Sequence, residues 1–76
     1  MNTLEKVKEF YANELRDIER SIKCDLFEPA KLVNNSLQRC LGVAFFAQYL
    51  DVPFQQVDEL YEEQRTKLYA FLKGEN

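Results

Sequence analysis

Apolar side chains recur along the first third of the chain at Leu4, Val7, Tyr11, Leu15, Ile18 and Ile22. Steps of three and four residues place them on one side of a helix that turns about 100° per residue. The opposite side carries Lys6, Glu9, Asn13, Arg16, Asp17, Arg20 and Lys23, the mixed charge of a solvated surface. Asn2 followed by Glu5 has the spacing of a capping box, so the pattern predicts a first helix from Thr3 to Lys23.

Punctuation divides the remainder. Asp25 to Pro29 predicts a turn, since proline restricts the residue before it and suits the first turn of a new helix. A second helix is expected from residue 29 to residue 50, with Asn34, Asn35 and Ser36 as weak formers that favour a late start. Asp51, Val52 and Pro53 predict the next break. A third helix over residues 54 to 72 gathers Phe54, Val57, Leu60, Tyr61, Leu68, Phe71 and Leu72 in one stripe, and Gly74 is the expected stop. Short connections favour antiparallel neighbours, so the predicted architecture is all-α, an up-down-up three-helix bundle in one domain spanning residues 1–76.

The second segment departs from the simple pattern. Leu41, Val43, Ala44, Phe45, Phe46, Ala47, Tyr49 and Leu50 surround almost the whole circumference of the helix, and a helix apolar all round is normally covered on both sides. At about 100° per residue, Val33, Leu37, Leu41, Ala44 and Phe45 make the inward face, while Gly42, Phe46 and Tyr49 lie roughly opposite. Two readings follow. Phe46 and Tyr49 fill side grooves within one protomer, or they and Leu50 form an interface with a second copy or another protein. Gly42, which costs about 1 kcal/mol relative to alanine inside a helix, favours close approach by another backbone on that side.

Three polar residues interrupt otherwise apolar stripes: Glu14, Gln48 and Gln64. In an up-down-up bundle Glu14 and Gln64 fall at one level, with Arg39 and Arg65 within reach of the carboxylate. The expected structure is a buried polar layer of Glu14, Arg39 and Gln64, because a buried carboxylate demands a partner and a satisfied layer fixes register. The chemical alternative is Glu14 as a general acid or base, which would also need a pocket.

Composition narrows the function classes. The 76 residues carry a net charge of -3 and no histidine, so Ser-His and Cys-His nucleophile pairs and a thiolate/imidazole zinc site are excluded. No Gly-rich phosphate loop or spaced carboxylate run is present, and no catalytic, cofactor-binding or metal-ligating set is expected. Cys24 and Cys40 fall too far apart in such a bundle for a disulfide and read as ordinary semi-buried thiols. No secretory signal is expected at the start, and Leu41 to Leu50 is too short to span a membrane, so a cytoplasmic protein is anticipated.

Ala47, Leu50, Val52, Val57 and Leu60 have the apolar spacing around a turn that resembles the helix-turn-helix unit of bacterial repressors, with Asp51 at the usual turn glycine. That resemblance implies a DNA-binding regulator. The helix that would enter the major groove, however, offers Gln55, Gln56, Asp58 and Glu59 where phosphate contacts require lysine and arginine. The expected function is therefore a non-enzymatic protein-interaction module that self-associates as a homodimer or larger through helix 2. DNA binding stands as the alternative.

Overall fold

A computed structural model describes residues 2 to 25 and 28 to 74. These form three helices, α1 (Thr3–Lys23), α2 (Pro29–Gln48) and α3 (Phe54–Lys73). The bounds match the sequence pattern within two residues at every end. Local chemistry explains most of them. Asn2 is extended and its Oδ1 accepts the Glu5 N–H at 2.8 Å, satisfying one of the amides that the first turn leaves without a partner. Asp25 ends α1 with φ of 55°, a left-handed residue of the kind that closes helices. Gly74 does the same for α3 at φ 70°, its N–H reaching the Ala70 and Phe71 carbonyls.

The expected late start of α2 does not occur. Pro29 occupies the first turn and the helix runs unbroken through Asn34, Asn35 and Ser36; proline presets φ there, and Ser36 is held by a tertiary hydrogen bond described below. Part of the predicted first turn, Leu26 and Phe27, lies outside the described residues. At its other end α2 closes at Gln48, and Val52 in the following turn is buried.

Helices α1 and α2 run antiparallel, as do α2 and α3. Two clusters fill the core: Val7, Tyr11, Cys40, Ala44, Ala47, Val52 and Val57 at one end, and Ile18, Val33, Leu37 and Leu68 at the other. The molecule is elongated, 38 × 20 × 17 Å, and among the described residues no helix is long and apolar enough to cross a membrane.

The inward face of α2 is rotated away from the one predicted. Val33, Ser36, Leu37, Cys40, Ala44 and Ala47 are buried, whereas Leu41 and Phe45 are exposed, Phe45 by 55 %. Small side chains allow neighbouring helices to approach at close interaxial distance, so the face with less apolar bulk makes the tighter contact. Phe54 and Leu72, assigned by spacing to the buried stripe of α3, are likewise exposed. Replacement of Asn2 by alanine is expected to cost about 1 kcal/mol in urea unfolding, with the largest rise in amide exchange in the first turn of α1.

Candidate interaction surface

With its small residues turned inward, α2 turns its large ones out. Leu41, Phe45, Phe46, Tyr49, Leu50 and, from the start of α3, Phe54 form one exposed apolar surface, on which Phe46 is 66 % and Tyr49 86 % accessible. Gly42 lies exposed among them, and a Cβ built on it would meet nothing within 4 Å. The structure thus places Gly42, Phe46, Tyr49 and Leu50 together on the outer side of α2. It adds Leu41, Phe45 and Phe54, which helical spacing assigns to the inward faces.

Grooves flank this crest. On the α1 side, a depression of about 360 Å³ is lined by Lys6, Val7, Phe10, Val43, Phe46 and Leu50, among others. On the α3 side, one of about 260 Å³ is lined by residues that include Leu41, Phe45, Gln48, Phe54, Asp58 and Tyr61. The crest itself carries no charged residue between Leu41 and Leu50; charge enters at the rims, as Lys6 on one side and Asp58 and Glu62 on the other. Taking about 200 Å² for a fully exposed aromatic side chain, the six large residues present roughly 600 to 700 Å² of accessible surface. A typical monomer's largest apolar patch is about 300 to 600 Å².

The polar residues inside the bundle make a second constellation. Glu14 is buried, and its Oε1 accepts from Ser36 Oγ and from Arg39 Nε, both at 2.8 Å. The Arg39 side chain is 51 % exposed, so it reaches down from the surface with its guanidinium partly in water. Gln64 donates through Nε2 to the Tyr11 carbonyl at 3.0 Å and to Cys40 Sγ at 3.6 Å. Tyr11 completes the layer by donating its hydroxyl to the Cys40 carbonyl at 2.8 Å. Among the described residues, every buried side-chain nitrogen and oxygen has a partner.

Glu14 and Arg39 are therefore in direct contact, and Gln64 is bonded beside them to Tyr11 and to Cys40, the residue after Arg39. Ser36 and Tyr11 belong to the layer and were not anticipated. Ser36 falls one helical turn before Cys40 and opposite Glu14, a signal available from the heights of antiparallel helices alone. Arg65 is elsewhere: it pairs with Glu62 at 3.6 Å and lies over the Tyr69 ring. Gln48 is exposed, and Cys24 is exposed rather than half-buried, while Cys40 is fully buried; both thiols are free.

Burial shapes the titration of this layer. Desolvation pushes the Tyr11 phenol well above its ordinary range, and a thiolate at Cys40 would push it further. Desolvation also raises the Cys40 thiol, opposed by the Gln64 hydrogen bond. Both groups are kept neutral, the opposite of what a nucleophile or proton shuttle requires. Among the described residues no group of three or more cysteine, aspartate or glutamate side chains is placed to hold a metal ion. No protein-family model, no curated protein and no solved structure matches the chain.

Two outcomes follow from the layer. Glu14→Gln and Arg39→Gln, unfolded singly and together in urea, are expected to show a coupling of about 0.5 to 1 kcal/mol, modest because Arg39 is half in water. Glu14→Gln alone is the costlier change, since it also weakens the acceptor of Ser36. Strictly additive losses would dissolve the pair. Stability should also fall at alkaline pH. An unfolded chain ionises cysteine near pH 8.5 and tyrosine near pH 10, whereas the folded groups hold their protons longer. The unfolded state then binds fewer protons and gains on the folded one as pH rises through that window. Cys40→Ala is expected to move the onset of this loss from about pH 8.5 to about pH 10, read from denaturation midpoints across pH.

Proposed function

We propose that this chain is a non-enzymatic protein-interaction module that associates with itself through the exposed side of α2. The observation that carries the reading is the gathering of Leu41, Phe45, Phe46, Tyr49, Leu50 and Phe54 on one face, all of them large and exposed. Burial of such surface is the main driving force of association. Its roughly 600 to 700 Å² approaches the ~800 Å² that each partner contributes to a standard interface. The protomer as a whole exposes 5369 Å², about a tenth more than the roughly 4,900 Å² of a compact monomer of its mass.

A second copy is the favoured occupant because the crest is uncharged. Two such surfaces meet without burying an unpaired charge, which would cost more than the apolar contact returns. Phe46 and Tyr49 are the expected anchors, with the acidic residues of α3 left in water at the rim. A cytoplasmic setting fits the two free thiols, one of them exposed. The DNA-binding alternative is not advanced. The exposed Gln55, Asp58, Glu59, Glu62 and Glu63 of α3 would repel the phosphate backbone rather than contact it.

Sedimentation equilibrium at micromolar concentration checks the reading. The wild-type chain is expected at twice the protomer mass or more, and Phe46→Asp at the protomer mass with its helical signal intact. Added salt should leave the wild-type association unchanged or tighten it, because each copy carries a net charge of -3 and screening removes the repulsion between them. Protomer mass for both proteins would overturn the proposal, and retention of duplex DNA at low salt would restore the alternative.

A further inference from the structure

We infer that two copies meet with their α2 helices antiparallel, across a twofold axis that passes between Phe45 and Phe46. The inference rests on the self-association reading and adds the orientation of the partner. It comes from the order of side chains along the crest. On a helix turning about 100° per residue, Gly42 and Tyr49 stand two turns apart on nearly the same line. That line lies opposite the buried Cys40 and Ala47. Phe45 and Phe46 sit halfway between them in height, one on each side of the line.

At a rise of about 1.5 Å per residue, Gly42 and Tyr49 are each roughly 5 Å from the midpoint. A half-turn about an axis perpendicular to α2 at that point exchanges the two heights. Tyr49 of one copy then faces Gly42 of the second copy, and the reverse contact follows by symmetry, as a twofold interface requires. Phe45 meets the second copy's Phe45 on the α3 side, and Phe46 meets the second copy's Phe46 on the α1 side. The same operation brings Leu41 of each copy toward Phe54 of the other.

Size decides between this arrangement and a parallel one. Nothing lies within 4 Å of a Cβ built at Gly42, so packing inside the protomer supplies no reason for glycine at this helical position. An approaching ring does supply one. Tyr49, 86 % exposed, is the bulkiest unburied group on the crest, and in the antiparallel pair each tyrosine fills the opening left by a glycine. In a parallel pair Tyr49 would stand against Tyr49 and Gly42 against Gly42. Bulk would collide at one end while a void remained at the other, and close-packed interfaces tolerate neither. The antiparallel pair also sets the positive end of each helix dipole beside the negative end of its neighbour.

The native chain contains the probe for a test. Cys24 is free and exposed where α1 ends, level with the start of α2, whereas Cys40 is buried and out of reach of reagent. From the midpoint of residues 45 and 46 back to Pro29 is about 25 Å at the helical rise, so the two Cys24 residues of an antiparallel pair stand about 50 Å apart. A parallel pair keeps them at one end, separated only sideways by two or three interaxial distances, about 20 to 30 Å. Pulsed electron resonance on the chain spin-labelled at Cys24, at a concentration where its mass is dimeric, is expected to give a distribution centred near 50 Å. A distribution centred near 25 Å would overturn the orientation and leave self-association standing. A protomer mass would overturn both. As a second measurement, Gly42→Leu closes the opening and is expected to weaken association about tenfold or more; undiminished association would also defeat the inference.

Discussion

The contact that governs this molecule is made by the small side chains of α2. Ser36, Cys40, Ala44 and Ala47 lie between α1 and α3 and are almost fully buried, which lets three short helices close on one another along this face. A helix has only one circumference. Once its small residues are committed to the core, Leu41, Phe45, Phe46 and Tyr49 have nowhere to go but outward. The apolar surface is thus the geometric consequence of the way the core is packed, and a chain that buried Phe45 and Leu41 instead would have lost both the close approach and the surface.

Across the middle of the bundle the same face of α2 takes part in a polar layer where the two apolar clusters adjoin. Glu14 draws Ser36 and Arg39 to α1, and Gln64 ties α3 to the Tyr11 carbonyl and Cys40. Sliding any helix by one turn would break several of these bonds at once and leave a carboxylate or amide buried without a partner, a penalty larger than the bonds' net contribution. The layer accordingly fixes register more than it adds stability. By fixing the register of α2, it also fixes the height at which Phe45, Phe46 and Tyr49 emerge.

Much of this was legible in the sequence. Two prolines, two glycines and a capping residue mark the helix ends because each acts through local backbone chemistry that needs no tertiary context. The level shared by Glu14, Arg39 and Gln64 could be counted from antiparallel heights, and the outward position of Gly42, Phe46 and Tyr49 followed from helical angle. What failed was the assignment of Leu41, Phe45, Phe54 and Leu72 to the interior. Hydrophobic weighting ranks a phenylalanine above an alanine, whereas helix packing rewards the residue that lets backbones approach, so the two criteria diverge wherever a helix carries both kinds. Ser36 was read as a weak helix former for the same reason: its tertiary partner Glu14 is 22 residues away, and propensity sees only neighbours.

Small size links the proposed association to stability. A chain of 76 residues buries only about 60 % of its unfolded surface and is marginal as a lone protomer. Here the protomer leaves eight large apolar side chains exposed among the described residues, and six of them lie on α2 and at the start of α3. If a second copy covers them, folding and association draw on the same surface and the folded state gains by mass action. The charge distribution suits such an arrangement. An uncharged crest permits contact over α2, while the carboxylates along α3 and the net negative charge of each copy disfavour contact elsewhere. An association of this kind would draw on the face of α2 whose large side chains the core does not hold.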